Sequence, residues 1–134
     1  TYLDYSQGGA RTATNFEKST GAIFSDKFYF NVSHTGQKHR SEGVGGYADL
    51  FIIDIDEQNC AIIDTKASSS YSLPSNDYYK MQNNYITHYH DLAGNRNLKL
   101  EFAAFVAGNF FGSFESKLKT LEILKEKSFL MFRK

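Results

Sequence analysis

Hydrophobic positions in this chain fall into dense runs separated by polar, glycine-bearing stretches. Leu50-Phe51-Ile52-Ile53-Asp54-Ile55 and Cys60-Ala61-Ile62-Ile63-Asp64-Thr65 both have strand character and flank Asp56-Glu57-Gln58-Asn59, which predicts a β-hairpin with a four-residue turn. Both hairpin faces are apolar, with Phe51, Ile53 and Ile62 on one and Leu50, Ile52 and Ile63 on the other, so helices are expected on both sides. Leu98 to Val106 alternates and then becomes wholly apolar from Phe102, as a strand at the centre of a sheet does. Arg11 to Lys27 has helical spacing, with Phe16, Ile23 and Phe24 facing inward and an interruption at Gly21. Phe28 to Val32 reads as a short strand and Ser33 to Gly46 as a loop. A small-residue loop through Pro74 precedes a helix expected over about Asp77 to Tyr89, capped by Ser75 or Asn76. Ser113 is expected to cap a last helix carrying the stripe Phe114, Leu118 and Leu121. The sum is an α/β fold, a three-layer α/β/α sandwich with a mixed central sheet.

The hairpin also places chemistry. With four turn residues Ile55 pairs with Cys60, and counting outward sets Asp49 opposite Lys66 with Asp64 on the same face. Two carboxylates and an ammonium then converge. Such a cluster suits Mg²⁺, which prefers oxygen ligands, keeps several waters and needs only one or two carboxylates beside a substrate phosphate. An isolated Asp-x-Lys is usually a solvated pair of little energetic weight. Here it follows the run Cys60-Ala61-Ile62-Ile63 and faces a second acid, so desolvation is costly unless a metal or substrate balances the charge.

A longer string extends the tripeptide. Ala61-Ile62-Ile63-Asp64-Thr65-Lys66-Ala67, then Tyr71-Ser72-Leu73-Pro74 and Lys80-Met81-Gln82, resembles the cleavage domains of FokI-like type IIS restriction endonucleases, within the PD-(D/E)XK nuclease superfamily. Phe105-Val106-Ala107-Gly108-Asn109-Phe110-Phe111-Gly112, running into Leu118 and Leu121, is similar to that family's last core strand and following helix. The resemblance covers residues 49 to 121, with Ala48-Asp49 where the family has Pro-Asp; that proline carries no chemistry. It implies a restriction-endonuclease-like fold and a Mg²⁺-dependent endodeoxyribonuclease acting on double-stranded DNA. In that reading Asp49 and Asp64 hold the metal with the Thr65 carbonyl, and Lys66 steadies the attacking water. It further implies supporting roles behind the metal ligands for Glu17 and for Gln82, which would orient a phosphate or water, and a dimer-forming helix bearing Tyr78, Met81 and Tyr85. Residue spacing alone makes Tyr78, Met81, Tyr85 and Tyr89 equally a core-facing stripe. A separate recognition domain and a homodimer or partner subunit complete that expectation.

Length and charge bound the rest. The 134 residues suit one domain, and the start at Thr1 with the end just past Phe129-Leu130-Met131-Phe132 leads to the expectation of a fragment of a larger protein. With 15 basic and 15 acidic side chains there is no global positive field for tight, sequence-independent DNA binding. The lysines from Lys117 to Lys134 form a local basic candidate, or a solvated helix face. Cys60 is the one cysteine, which excludes an intrachain disulfide and a thiolate zinc site and suits a bacterial cytoplasm. No apolar run approaches a membrane helix, so no membrane partner is expected. His34 and His39 lie in the glycine-rich loop without metal-ligand spacing and read as exposed polar residues. The competing readings are a junction-type nuclease of the same superfamily and a non-catalytic dimerisation or DNA-docking module.

Overall fold

The computed structural model describes residues 1–37, 46–54, 56–88, 97–112 and 128–133. Helix α1 (Tyr2–Gln7) and helix α2 (Ala13–Asp26) precede β1 (Asn31–Ser33), β2 (Leu50–Asp54) and β3 (Asn59–Lys66). Helix α3 (Ser75–Lys80) runs directly into a π turn at Met81–Tyr85, and β4 (Lys99–Ala107) and β5 (Ser128–Arg133) complete the sheet. Strand order is β1-β2-β3-β4-β5, antiparallel from β1 to β3 and parallel from β3 to β5. The sheet is therefore mixed, as the sequence predicts, and β5 adds a strand at the run from Phe129 to Phe132.

Each sheet face has its own core. Phe51, Ile53, Cys60, Ile62, Ala103 and Phe105 pack with Tyr71, Leu73, Met81 and Ile86 from the α3 side. Leu50, Ile52, Ala61, Ile63, Ala104 and Val106 pack with Phe16 of α2, and with Tyr2 and Tyr5 of α1. Alternation within β2 and β3 assigns these faces, which is the three-layer α/β/α arrangement. In β4 the alternation is reset by one residue, because the ladder shifts register between Cys60 and Ala61, pairing Cys60 with Leu100 and Ala61 with Phe102.

The predicted hairpin register is off by two. Ile53, not Ile55, pairs with Cys60, Asp54 pairs with Asn59, and Leu50 pairs with Ile63. Gln58 adopts a left-handed conformation (φ 54°) and closes the turn, so Asn59 belongs to the strand and not to the turn. A slip of two keeps every side chain on its face, whereas a slip of one would have inverted the hairpin.

Other boundaries move for local reasons. The polar stretch before Arg11 contains α1, opened by a capping box between Thr1 and Asp4. Gly21 does not interrupt α2. The strand predicted at Phe28 begins only at Asn31, because Tyr29 is left-handed (φ 61°) and Phe24, Phe28 and Phe30 stack on one another. Pro74, not Ser75 or Asn76, occupies the N-cap of α3. His39, Tyr89, the helix expected after Ser113 and most of the C-terminal lysines lie outside the described residues. Among the described residues no helix is long and apolar enough to cross a membrane.

The end of β4 is fastened to the N-terminal segment through a glycine. A Cβ at Gly108 would collide with the Ser6 carbonyl oxygen and stand 2.7 Å from that of Ser68. The Gly9 amide donates to the Ala67 carbonyl at 2.7 Å beside it, so α1 is held against the strand ends. Gly108→Ala should therefore cost about 1–3 kcal/mol, the range for overpacking a filled site, read as a lower urea midpoint at unchanged slope. An unchanged midpoint would show that α1 yields without cost.

Candidate active site

Strand β3 ends in Asp64-Thr65-Lys66, beside Phe105, Val106 and Ala107 of the parallel β4. Extending the β2–β3 ladder by one position sets Asp49 opposite Asp64, not opposite Lys66 as the predicted register had it. Asp49, Asp64 and Lys66 still share the face covered by α3, because the slip preserved parity. This lies at the carboxyl end of the parallel strands, where α/β sheets commonly open toward ligands.

Asp49 is held by its neighbours. Its Oδ2 accepts from both the amide and the hydroxyl of Thr65, each at 2.8 Å. Its backbone carbonyl accepts from the Gly36 amide at 3.3 Å, and the Thr35 hydroxyl donates to the Ala48 carbonyl at 2.9 Å. Behind it, His88 Nδ1 is 2.7 Å from the Gly46 carbonyl oxygen and its ring packs on Tyr47. The sequence placed His88 only at a helix end. Its observed partner ties the approach to Asp49 to the segment after the π turn.

Asp64 is 3% exposed, and its Oδ2 is 2.9 Å from Lys66 Nζ. Burial, then the nearby Asp49 charge, push the Asp64 carboxyl up to about 7 against the opposing pull of Lys66. Asp49, opposite it on the extended ladder, is close enough for its charge to act on the Asp64 carboxyl. The Lys66 pKa is also raised: burial opposes its charge, but the Asp64 carboxylate, and after it Asp77 and Asp49, hold it above the ordinary lysine value.

Two side chains at this site were not anticipated as site members. Asp77, in the first turn of α3, has Oδ2 at 3.9 Å from Lys66 Nζ and accepts the Tyr71 hydroxyl proton at 2.7 Å. Tyr71 is fixed by its own backbone, which bridges to Phe110 and bonds to Asn109 and Phe111. Burial first, then the bond to Asp77, raise the Tyr71 pKa, so the phenol keeps its proton. Leu73 is fully buried in the left-handed region (φ 54°) just before Pro74, a strained placement costing about 1–3 kcal/mol. That turn launches α3 over Lys66. No local sequence signal reports it.

The remaining candidates distribute differently. Glu17 is buried on α2 and accepts from Gln37 Nε2 at 3.0 Å, next to the Gly36 that pins Asp49. Gln82 lies in the π turn with Oε1 buried and without a hydrogen-bond partner among the described residues. Met81 is fully buried in the core, as the core-packing reading of the spacing has it. Tyr78 and Tyr85 are half-buried against the same core. Burial and the Asp64 charge push Tyr85 up to about 12, which places its hydroxyl within the field of the acidic cluster. His34 packs against Gly21 of α2 and takes no part in the cluster.

The donor set fits a hard divalent cation. Two carboxyls on neighbouring strands, one pushed up toward neutrality by its burial and then by the other's charge, are relieved by a cation between them. Among the described residues no group of three or more His, Cys, Asp or Glu forms a closed metal cage.

Burial of Asp64 should be visible in the metal-free chain. Its carboxyl protonates at about 7 when folded and at an ordinary 3.8 when unfolded, so ionisation destabilises the fold as pH rises through that window. In chelator at pH 8, Asp64→Asn should raise the melting temperature, and the gain should shrink as pH falls from about 7 toward 4. A gain independent of pH, or a loss at pH 8, would contradict the burial.

The family model for the FokI cleavage domain matches residues 1–128. The structure of restriction endonuclease FokI is similar with a TM-score of 0.80 at 17% identity, over 98% of this chain and 25% of that one. FokI bound to DNA gives a TM-score of 0.77 at 18% identity, over 97% and 24%. The chain thus spans about a quarter of the length of these solved structures. No curated protein matches it. At such identity the structural likeness carries the fold, and the family follows from a match over nearly the whole sequence: this chain belongs to the FokI cleavage-domain family.

Proposed function

We propose that the chain is the Mg²⁺-dependent DNA-cleavage module of a type IIS restriction endonuclease, hydrolysing phosphodiester bonds in double-stranded DNA. The observation that carries this is the placement of Asp49 opposite the buried Asp64 on adjacent strands, with the Lys66 ammonium 2.9 Å from Asp64, at the strand ends of a FokI-family domain. Asp49 and Asp64 would hold the cation, joined by the Thr65 carbonyl. When bound, the cation supplies Lewis-acid polarisation of the phosphate and charge neutralisation at the leaving oxygen.

The chain's own residues do the positioning. Thr65 orients Asp49 through two donors, so that carboxyl is preorganised before substrate arrives. Lys66, 29% exposed at its side chain, reaches the surface far enough to hydrogen-bond a phosphate oxygen or the attacking water. The buried floor of Ile62, Phe105 and Leu73 keeps other water from the carboxyls.

Sequence recognition belongs to another part of the full-length protein in this reading, because the domain is electrically neutral and FokI itself is about four times as long as this chain. Tyr79, half exposed on α3, remains available to a second copy of the domain, which would supply the cut on the opposite strand.

Fused to a sequence-specific DNA-binding module and given supercoiled plasmid with Mg²⁺, the chain should nick or linearise the plasmid. Asp49→Asn, Asp64→Asn and Lys66→Ala should each lower the rate by roughly 10²–10⁴-fold while retaining cooperative unfolding. Cleavage that survives chelator, or persists in any of the three variants, would remove the proposed centre, and inert plasmid at high concentration would favour a docking module.

Pairing of two domains makes a separate prediction. On a substrate with one recognition site, the rate should climb faster than linearly with enzyme concentration. Strict proportionality would instead identify a monomer that nicks one strand.

A further inference from the structure

We propose that Asp77, anchored by Tyr71, is the positioning residue that holds Lys66 over the reacting phosphate; this rests on the reading of the site as a nuclease centre. Lys66 Nζ lies between two carboxylates from different layers of the fold, Asp64 on β3 at 2.9 Å and Asp77 on α3 at 3.9 Å. Asp64 is a divided partner, because the same carboxyl stands opposite Asp49 on the extended ladder and would be drawn to the cation during the reaction. A lysine is a point charge on a flexible stem with no planar fork to fix its direction. Once Asp64 turns to the cation, only a second anion can keep the ammonium in place.

Asp77 is built for that task. The Oδ2 that faces Lys66 also accepts the Tyr71 hydroxyl proton at 2.7 Å, so the carboxylate is oriented before any substrate binds. Tyr71 cannot readily move: its ring packs on Phe105 and Phe110, and its backbone is bridged to Phe110. The pair is not a solvated rim contact, with side-chain exposures of 29% for Lys66 and 20% for Asp77. An aspartate in a first helical turn also complements the helix dipole, but that role needs neither a buried tyrosine nor a lysine from the sheet.

Two substitutions separate these roles. Asp77→Asn keeps the size and the acceptor for Tyr71 but removes the charge, whereas Tyr71→Phe removes the hydroxyl and leaves the charge. With the chain fused to a DNA-binding module, Asp77→Asn should lower the single-turnover cleavage rate roughly 10-fold to 100-fold, with DNA affinity and the Mg²⁺ concentration at half-maximal rate unchanged. Tyr71→Phe should lower the rate less, and the double variant should match Asp77→Asn alone, because the hydroxyl acts through the carboxylate. An unaltered rate in Asp77→Asn overturns the proposal, and so does a several-fold rise in Mg²⁺ requirement, which would make Asp77 a metal ligand.

A readout without catalysis decides the contact independently. In the ¹⁵N-labelled, metal-free chain the Lys66 ammonium resonance, assigned by its loss in Lys66→Gln, should shift in both Asp77→Asn and Tyr71→Phe. A resonance unmoved by either variant overturns the proposal even if the domain cuts DNA. A wild-type chain inert on plasmid would defeat the nuclease reading, and the resonance would still decide whether Asp77 holds Lys66.

Discussion

The site depends on a carboxyl that the fold forces out of water. Asp64 follows Cys60-Ala61-Ile62-Ile63 on a strand covered from both faces, and that apolar burial, at roughly 25 cal/mol per Å², offsets the cost of carrying an acid into the interior. The mixed sheet then determines what the acid meets. An antiparallel neighbour starts where β3 ends, so β2 brings Asp49 alongside Asp64. A parallel neighbour on the other side requires a crossover, and that crossover lays α3 and its Asp77 over Lys66. An all-parallel sheet would supply the second contact but not the first.

Much of this was legible because strand chemistry repeats every two residues. The hairpin prediction misplaced the turn by two positions, and Asp49, Asp64 and Lys66 still converge, since only an odd slip changes faces. The two apolar faces of Phe51 and Leu50 foretold the helical layers for the same reason. What escaped were features set by contacts distant in sequence. The left-handed Leu73 is stable only inside the assembled core, so nothing near Leu73-Pro74 announces the direction of α3 or the reach of Asp77. The π turn at Met81–Tyr85 has no local signal either, although Tyr78, Met81 and Tyr85 do share the core-facing side that their spacing allows. Tyr29 illustrates the converse, a strongly β-forming residue whose φ of 61° ends a strand that composition alone would extend.

Support around Asp49 is denser than a surface acid needs. Thr65 from β3, Gly36 from the turn after β1, and the Gly46–His88 contact all bear on a few residues of backbone. Asp49 precedes the first residue of β2, where ladder hydrogen bonds no longer hold the chain. These contacts replace the ladder. A carboxyl that must present fixed oxygens to a cation has reason to be held this way, and one that only solubilises a strand end has none.

Charge balance gives the proposed cation a second purpose. Asp49, Asp64 and Asp77 face a single ammonium, so the site with all four groups ionised is negative, within a chain that is neutral overall. A phosphodiester approaching such a site meets repulsion, with no distant positive field to overcome it. Protonating Asp64 reduces the excess but consumes a ligand. A divalent cation removes it and keeps both carboxylates. The same carboxyls that would make the proposed cation useful in chemistry would therefore also make it necessary for DNA to approach a chain with no net charge.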